Sequence, residues 1–165
     1  MNIFCKFTQN INDVQNLVQL NLPTYDYQVK RTADGDKIFD CLRHKFVALT
    51  PEEWVRQHFT SFLVKHKGYP ASLMANEISL SLNGTSRRCD TIVYDRTGKP
   101  LVIVEYKANT VEITQKVFDQ IVRYNMVLKA RYLIVSNGMK HYCCRIDYDN
   151  HTYHFLQEIP PYEDL

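Results

Sequence analysis

Residues 87–107 read RRCDTIVYDRTGKPLVIVEYK, and this stretch decides the fold. Residues 88–94 alternate polar and apolar, residues 101–106 are almost continuously apolar, and Thr97-Gly98 lies in a turn-forming segment before Pro100. The spacing predicts a β-hairpin. With Thr97 and Gly98 at the loop centre, Arg96 pairs with Lys99, and the same register sets Asp90 opposite Glu105. Two carboxylates at roughly 4.5–5.5 Å between Cβ atoms repel one another, and a divalent cation is the natural compensation. Lys107, two residues beyond Glu105, shares its face because strand side chains alternate. Two hard oxygen ligands beside an ammonium suit Mg²⁺ or Mn²⁺ and the hydrolysis of a phosphodiester. An acid and a lysine on a solvated strand are more often a surface ion pair of little worth. Here residues 101–104 are too apolar for an exposed strand, so Glu105 and Lys107 end a buried one.

Upstream of the hairpin, residues 11–20 suit a short amphipathic helix. Tyr25, Tyr27 and Val29 alternate towards Asp34-Gly35, and a small β-meander follows, ending at residues 46–49. Thr50-Pro51-Glu52-Glu53 has the cap, the proline and the early acid that begin a helix, which Gly68 to Pro70 ends. Ile78, Leu80 and Leu82 alternate as a strand. Downstream, Ile113, Val117, Ile121, Tyr124 and Leu128 form the apolar face of a helix over residues 112–128. Residues 132–136 read as a buried strand, Asn137-Gly138 as a type I′ turn and residues 141–146 as the returning strand. The tail with Pro160-Pro161 reads as an edge strand or loose. The sum is an α/β domain, a mixed sheet flanked by helices.

Composition bounds the function. A chain of 165 residues with 45% hydrophobic and 12% aromatic content builds one core. Net charge is only +2, so nucleic-acid binding would rest on a local basic patch, for which Arg87, Arg88, Lys99, Lys116, Arg123 and Lys129 are candidates. No run approaches the roughly 20 apolar residues of a membrane span, and the start MNIFCKFTQN lacks the apolar core of a secretion signal. Five irregularly spaced cysteines then read as reduced thiols of a cytoplasmic protein. His141, Cys143, Cys144, His151 and His154 fit no standard zinc spacing. The scattered glycines include no phosphate-binding loop, which excludes an ATP-driven motor within these residues.

Asp90, then Glu105-Tyr106-Lys107 after a short hairpin, then Gln120 and Tyr124 on the next helix, together resemble the PD-(D/E)XK nuclease superfamily. More narrowly, the chain resembles the N-terminal nuclease domain of type I restriction endonuclease R subunits, in a short standalone bacterial form. The likeness runs from Thr50 to Ile146 through TPEEWVRQHF, GYPASLMANEISL, RRCDTIVYD, VIVEYKA, DQIVRYN and YLIVSNGMKHY. Cys89 stands where the superfamily often has proline. The resemblance implies a restriction-endonuclease-like fold over residues 50–165, with residues 1–49 as an N-terminal extension packed on the same domain.

The same resemblance implies a Mg²⁺-dependent DNA endonuclease, with Asp90, Glu105 and the Tyr106 carbonyl as metal ligands. Lys107 would position water or stabilise charge in the transition state. Glu53 has two readings, an acid reaching the metal from the first helix or the carboxylate of a capping box with Thr50. Glu77, just before the strand that begins at Ile78, is a further candidate to approach the site, ranked after Glu53. Gln120 and Tyr124, four apart on one helix face, would support the site and contact DNA together with Arg87 and Arg88. In the expected register Arg88 faces Lys107, and a bound phosphate would relieve those two cations. Partners would be DNA, a helicase or translocase or modification subunits supplied by other chains, and a second copy where both strands are cut. The alternative is a non-cleaving nucleic-acid-binding or assembly module that keeps the nuclease fold. RNA or a repair intermediate fits the same chemistry.

Overall fold

The computed structural model describes residues 17–82 and 84–165, with the side chains of Leu80, Leu82, Thr85, Arg87, Tyr124 and Val127 left aside. Cys5 and residues 11–16 of the expected first helix lie outside the described residues, and residues 17–20 carry no helix.

Two sheets are present among them. Strands β1 (Val29–Thr32), β2 (Gly35–Asp40) and β3 (Lys45–Ala48) form an antiparallel meander. The second sheet has the order β4 (Met74–Leu82), β5 (Thr85–Tyr94), β6 (Pro100–Tyr106), β7 (Tyr132–Ser136), β8 (His141–Asp147) and β9 (Thr152–Leu156). It is mixed, since β6 and β7 run parallel while every other pair is antiparallel. A parallel pair needs a long crossover, and that crossover contains α2 (Gln115–Asn125).

Helix α1 (Pro51–Lys67) has the expected bounds for local reasons. The Thr50 hydroxyl accepts from the Glu53 N–H at 3.0 Å, and Gly68 closes the helix in the left-handed region at φ 70°. A cap of this kind is worth about 1 kcal/mol. Val55, Phe59 and Leu63 of α1 bury against Val93, Val102, Val104 and Ile134 on one face of the large sheet, and Ile38 of the meander joins the same core. On the other face Phe118, Ile121 and Val122 of α2 pack on Ile92, Ile103, Leu133 and Val135. The result is the expected α/β architecture, a mixed sheet between helices with a meander beside α1. Adjacent cysteines divide between the layers, Cys143 in the α1 core and Cys144 in the α2 core, both as free thiols.

Three local expectations change. Helix α2 begins after its cap Thr114 and passes at Met126 into one 3₁₀ turn, so it is shorter than residues 112–128. The β7–β8 loop is not type I′, because Asn137 keeps a negative φ. Its side-chain oxygen instead accepts from the N–H groups of Met139 and Lys140 at 3.0 and 2.8 Å and organises a four-residue loop. The tail is held down, with Ile159 buried and the Tyr162 hydroxyl donating to the Tyr94 carbonyl at 3.1 Å.

The tip of the central hairpin also differs from a two-residue loop. Asp95 organises it by accepting from the Thr97 and Lys99 N–H groups at 2.8 and 2.9 Å, with Gly98 at φ 81°. Tyr94 therefore pairs with Pro100, but Val93 pairs with Val102, which leaves Leu101 as an extra residue on β6. This β-bulge returns the strands to the expected register, Ile92 with Ile103 and Thr91 with Val104. Asp90 and Glu105 are the next residues outward.

Candidate functional site

The candidate site lies where the pairing of β5 with β6 ends, beside α1 and α2. Beyond the Thr91–Val104 pair, Asp90 Oδ2 accepts the Tyr106 N–H at 2.8 Å, so the carboxylate is fixed to the backbone of the strand that carries Glu105. Tyr106 itself points into the α1 core, fully buried, its hydroxyl donating to Thr91 at 3.0 Å. On the other side of β5 the ladder to β4 runs from Asn76–Thr91 to Ile78–Cys89 and skips Glu77 and Asp90. Glu77 adopts a left-handed φ of 56°, a conformation costing a non-glycine residue about 1–3 kcal/mol. That turn of the backbone aims its carboxylate at two arginines. Glu77 Oε1 lies 2.6 Å from Arg56 Nη2, and Glu77 Oε2 is in contact with Arg88.

Glu105 is the electrostatically stressed member. Burial, and next the neighbouring charge of Asp90, hold its pKa well above the usual carboxylate range, while a hydrogen bond from Asn125 and the charge of Lys107 act the other way. Asn125 is completely buried, and its amide nitrogen stands 3.4 Å from Glu105 Oε1 and 3.0 Å from the Ile121 carbonyl. Lys107 is the first residue after β6, with its N–H bonded to the Ser136 carbonyl at 2.9 Å.

From α1 come both acids of the Glu52-Glu53 pair, with different surroundings. Glu53 is buried, and its Oε1 accepts from Arg43 Nη2 and Gln57 Nε2, each at 2.8 Å. Its Oε2 accepts from Arg56 Nη1 at 2.5 Å. The Thr50 half of the capping box is present through the Glu53 N–H, whereas the carboxylate turns to the arginines. Glu52 is half exposed, and its pKa is raised by burial and then by the charge of Asp90, with Arg56 and Lys107 opposing. It thus faces the same space as Asp90 and Lys107. Arg43 comes from the β2–β3 turn, where its guanidinium also contacts buried Asp40. Burial alone would raise Asp40, but hydrogen bonds from Asn76 and Arg43 prevail and hold its pKa low.

The sequence-predicted residues therefore distribute as follows. Asp90 and Glu105 come together at the end of the hairpin, with Lys107 close enough to bias Glu105. Glu53 and Glu77 join them through Arg56. Gln120 is exposed, and the side chains of Tyr124 and Arg87 lie outside the description. Arg88, 68% exposed, pairs with Ser79 on β4 and with Glu77 by its side chain. Sequence reasoning passes over Arg43, Glu52, Arg56 and Asn125. The i, i+3 and i, i+4 spacing of Glu53 and Glu52 to Arg56 is a signal that could have drawn attention to Arg56.

In donor chemistry the site fits a hard divalent cation in one respect. Asp90 and Glu105 are adjacent carboxylate oxygens, and the stress on Glu105 is of the kind a cation relieves. Among the described residues, no group of three or more His, Cys, Asp and Glu side chains forms a ready ligand set. Nor is any helix among them long and apolar enough to cross a membrane.

Comparison with known proteins finds that the family model described as "Type I restriction enzyme R protein N terminus" matches residues 51–160. No curated protein matches the chain. Among solved structures there is a likeness to a fragment of a chain assigned as the HsdR subunit of a type I restriction enzyme from Vibrio vulnificus YJ016. The identity is 18% and the TM-score 0.49, over 68% of this chain and 24% of that one. The chain thus spans about a quarter of the length of that protein fragment.

Proposed function

Since this chain belongs to the type I restriction enzyme R protein N-terminal family, we propose that it is a Mg²⁺-dependent DNA endonuclease domain, with Mn²⁺ as a substitute. The observation that carries the reading is the placing of Asp90, tied to the Tyr106 N–H, beside Glu105 where the β5–β6 pairing ends, with Lys107 next in the chain. Asp90 and Glu105 would hold the cation, and the Tyr106 carbonyl, following Glu105 in the chain, is its backbone complement. The chemistry supplied by the bound cation is neutralisation of phosphate charge and acidification of a water.

The chain's own residues do the rest. The Tyr106 N–H fixes the direction of Asp90, Asn125 steadies Glu105, and the charge of Lys107 orients the attacking water and offsets the negative charge on the phosphoryl oxygens in the transition state. Water adds to phosphorus as the bond to the leaving oxygen breaks, the attacking water giving up a proton to solvent and the leaving oxygen taking one from solvent. Arg88, Arg87, Gln120 and Tyr124 are proposed to meet the DNA around this mouth, mainly through phosphates. Motor or modification functions would come from other chains in the cytoplasm, and a second copy would complete a double-strand cut.

Incubation of plasmid and linear DNA with the protein and Mg²⁺ tests the reading. Nicking or linearisation that EDTA stops and that Asp90→Asn removes is expected; undiminished cleavage by Asp90→Asn would overturn it. A non-cleaving binding module is the second reading. It is favoured by the fact that both oxygens of Asp90 already have donors within the protein, Arg56 and the Tyr106 N–H. Salt-sensitive DNA binding with no cleavage under either cation would decide for it.

A further inference from the structure

We propose that Arg56 is the positioning residue of this site, a fixed counter-charge that holds Asp90 towards Glu105, and that Arg43 of the meander is the second grip of the same clamp. This rests on the nuclease reading above. One nitrogen, Arg56 Nη2, lies 2.6 Å from Glu77 Oε1, 3.3 Å from Asp90 Oδ1 and 3.8 Å from Glu52 Oε1. The other terminal nitrogen, Nη1, lies 2.5 Å from Glu53 Oε2. Four carboxylates from α1, β4 and β5 are thus arranged about one guanidinium. With only 3% of its side chain exposed, Arg56 cannot serve as a substrate contact.

The placement is specific to Asp90. Its Oδ2 is held by the Tyr106 N–H of β6 and its Oδ1 by Arg56 of α1, so both oxygens are directed by the protein. The guanidinium carbon also stands 5.6 Å from the centre of the Tyr106 ring, which ties Arg56 to the residue next to Glu105. The guanidinium offsets the Asp90 charge beside Glu105 and, with the Tyr106 N–H, fixes the direction of the carboxylate. A planar fork can serve four acids in fixed directions, as a lysine cannot. The cost is visible, because Arg56 Nε is buried with no hydrogen-bond partner and Glu77 is held at a left-handed φ of 56°.

Arg56 in turn is aimed by Glu53, and Glu53 by Arg43 and Gln57 at 2.8 Å each. Arg43 is anchored at the turn that follows β2 by Asp40, whose Oδ1 also accepts the Leu42 and Arg43 N–H groups at 2.8 and 3.0 Å. A chain of contacts therefore runs from the meander to the proposed metal ligand.

Mn²⁺ binding to the DNA-free full chain, followed by the loss of the free-ion electron paramagnetic resonance signal, tests this beside thermal unfolding. The parent binds and Asp90→Asn does not. Arg56→Gln should weaken binding about 10- to 100-fold, the usual effect of removing a partner that orients a metal ligand. Arg56→Lys should recover part of the loss, and Arg43→Gln should weaken binding less than Arg56→Gln. A folded Arg56→Gln protein that binds Mn²⁺ as well as the parent overturns the proposal, and so does tighter binding, which would make Arg56 a competitor of the cation. Should Arg56→Gln not fold, Arg43→Gln decides by the same comparison. If the parent itself binds no Mn²⁺, the metal-dependent reading fails first and this proposal with it.

Discussion

Asp90 on β5 accepts the backbone N–H of Tyr106 on β6 at 2.8 Å, so the first acid of the site is bonded to the residue between the other two proposed site residues, Glu105 and Lys107. A side chain takes the place of the next rung of the sheet. Strand pairing and ligand placement are therefore one interaction, and loss of the Asp90 carboxylate should loosen the end of the hairpin slightly as well as remove a ligand.

Lys107→Met should leave the thermal midpoint close to the parent value and reduce Mg²⁺-dependent DNA cleavage by about 10²–10⁴-fold, the range for a positioned proton-transfer or charge-stabilising group. Single-turnover cleavage of a linear duplex measures it. Cleavage within a factor of a few of the parent would remove Lys107 from the chemistry.

Mg²⁺ or Mn²⁺ should stabilise the fold, because the cation binds the paired acids only when the hairpin is formed. At a hundredfold excess over its dissociation constant the gain is about 2.7 kcal/mol, several degrees in Tm. The shift should be absent in Asp90→Asn. An equal shift in that variant would mean that the ion binds elsewhere.

His58 makes the fold sensitive to acid. Burial lowers its pKa to about 4, against the opposing effect of its contact with the Trp54 carbonyl. The unfolded chain then binds a proton that the folded chain refuses between about 4 and the ordinary 6.5. Stability attributable to His58 is complete above 6.5 and is lost as pH falls through that window, by roughly 3 kcal/mol at most. Urea unfolding at pH 4.5 and pH 7 should show a steeper loss for the parent than for His58→Gln. Parallel losses would show that His58 is not the group responsible.

Gly138→Ala should cost about 2 kcal/mol, because a left-handed φ alone costs an L-residue roughly 1–2 kcal/mol. Gly138 has φ 81°, and a Cβ there would stand 2.7 Å from Leu20 Cδ2 and 3.1 Å from Val55 Cγ2. The segment around Leu20, whose neighbour Asn21 donates to the Gly138 carbonyl at 2.8 Å, would have to move. Urea unfolding within about 0.5 kcal/mol of the parent would contradict the close packing seen at this loop.

Much of the fold is legible in the sequence because single local signals carry it. Thr50-Pro51 and Gly68 bound α1, and alternation in the central hairpin specifies which residues face each other. The same alternation brings Asp90 to Glu105, since a slip of one residue would turn Ile92 and Ile103 out of the core. The α1 side of the site is less legible. Glu53 is met by Arg43 from another sheet, and Arg56 joins α1, β4 and β5, so no local period encodes these contacts. On α2 the residues follow the helical period. Asn125, four residues after buried Ile121, therefore reaches Glu105, although its polarity gives a periodic reading no reason to place it inside.

The extra residue at Leu101 gives the hairpin a mechanical tolerance. Turn and site lie on opposite sides of that bulge, so a misfit generated at the tip is absorbed before it reaches Thr91 and Val104. A change in the length or composition of the outer turn would leave the alignment of the acids in place. Variation and precision are thereby assigned to different ends of one pair of strands.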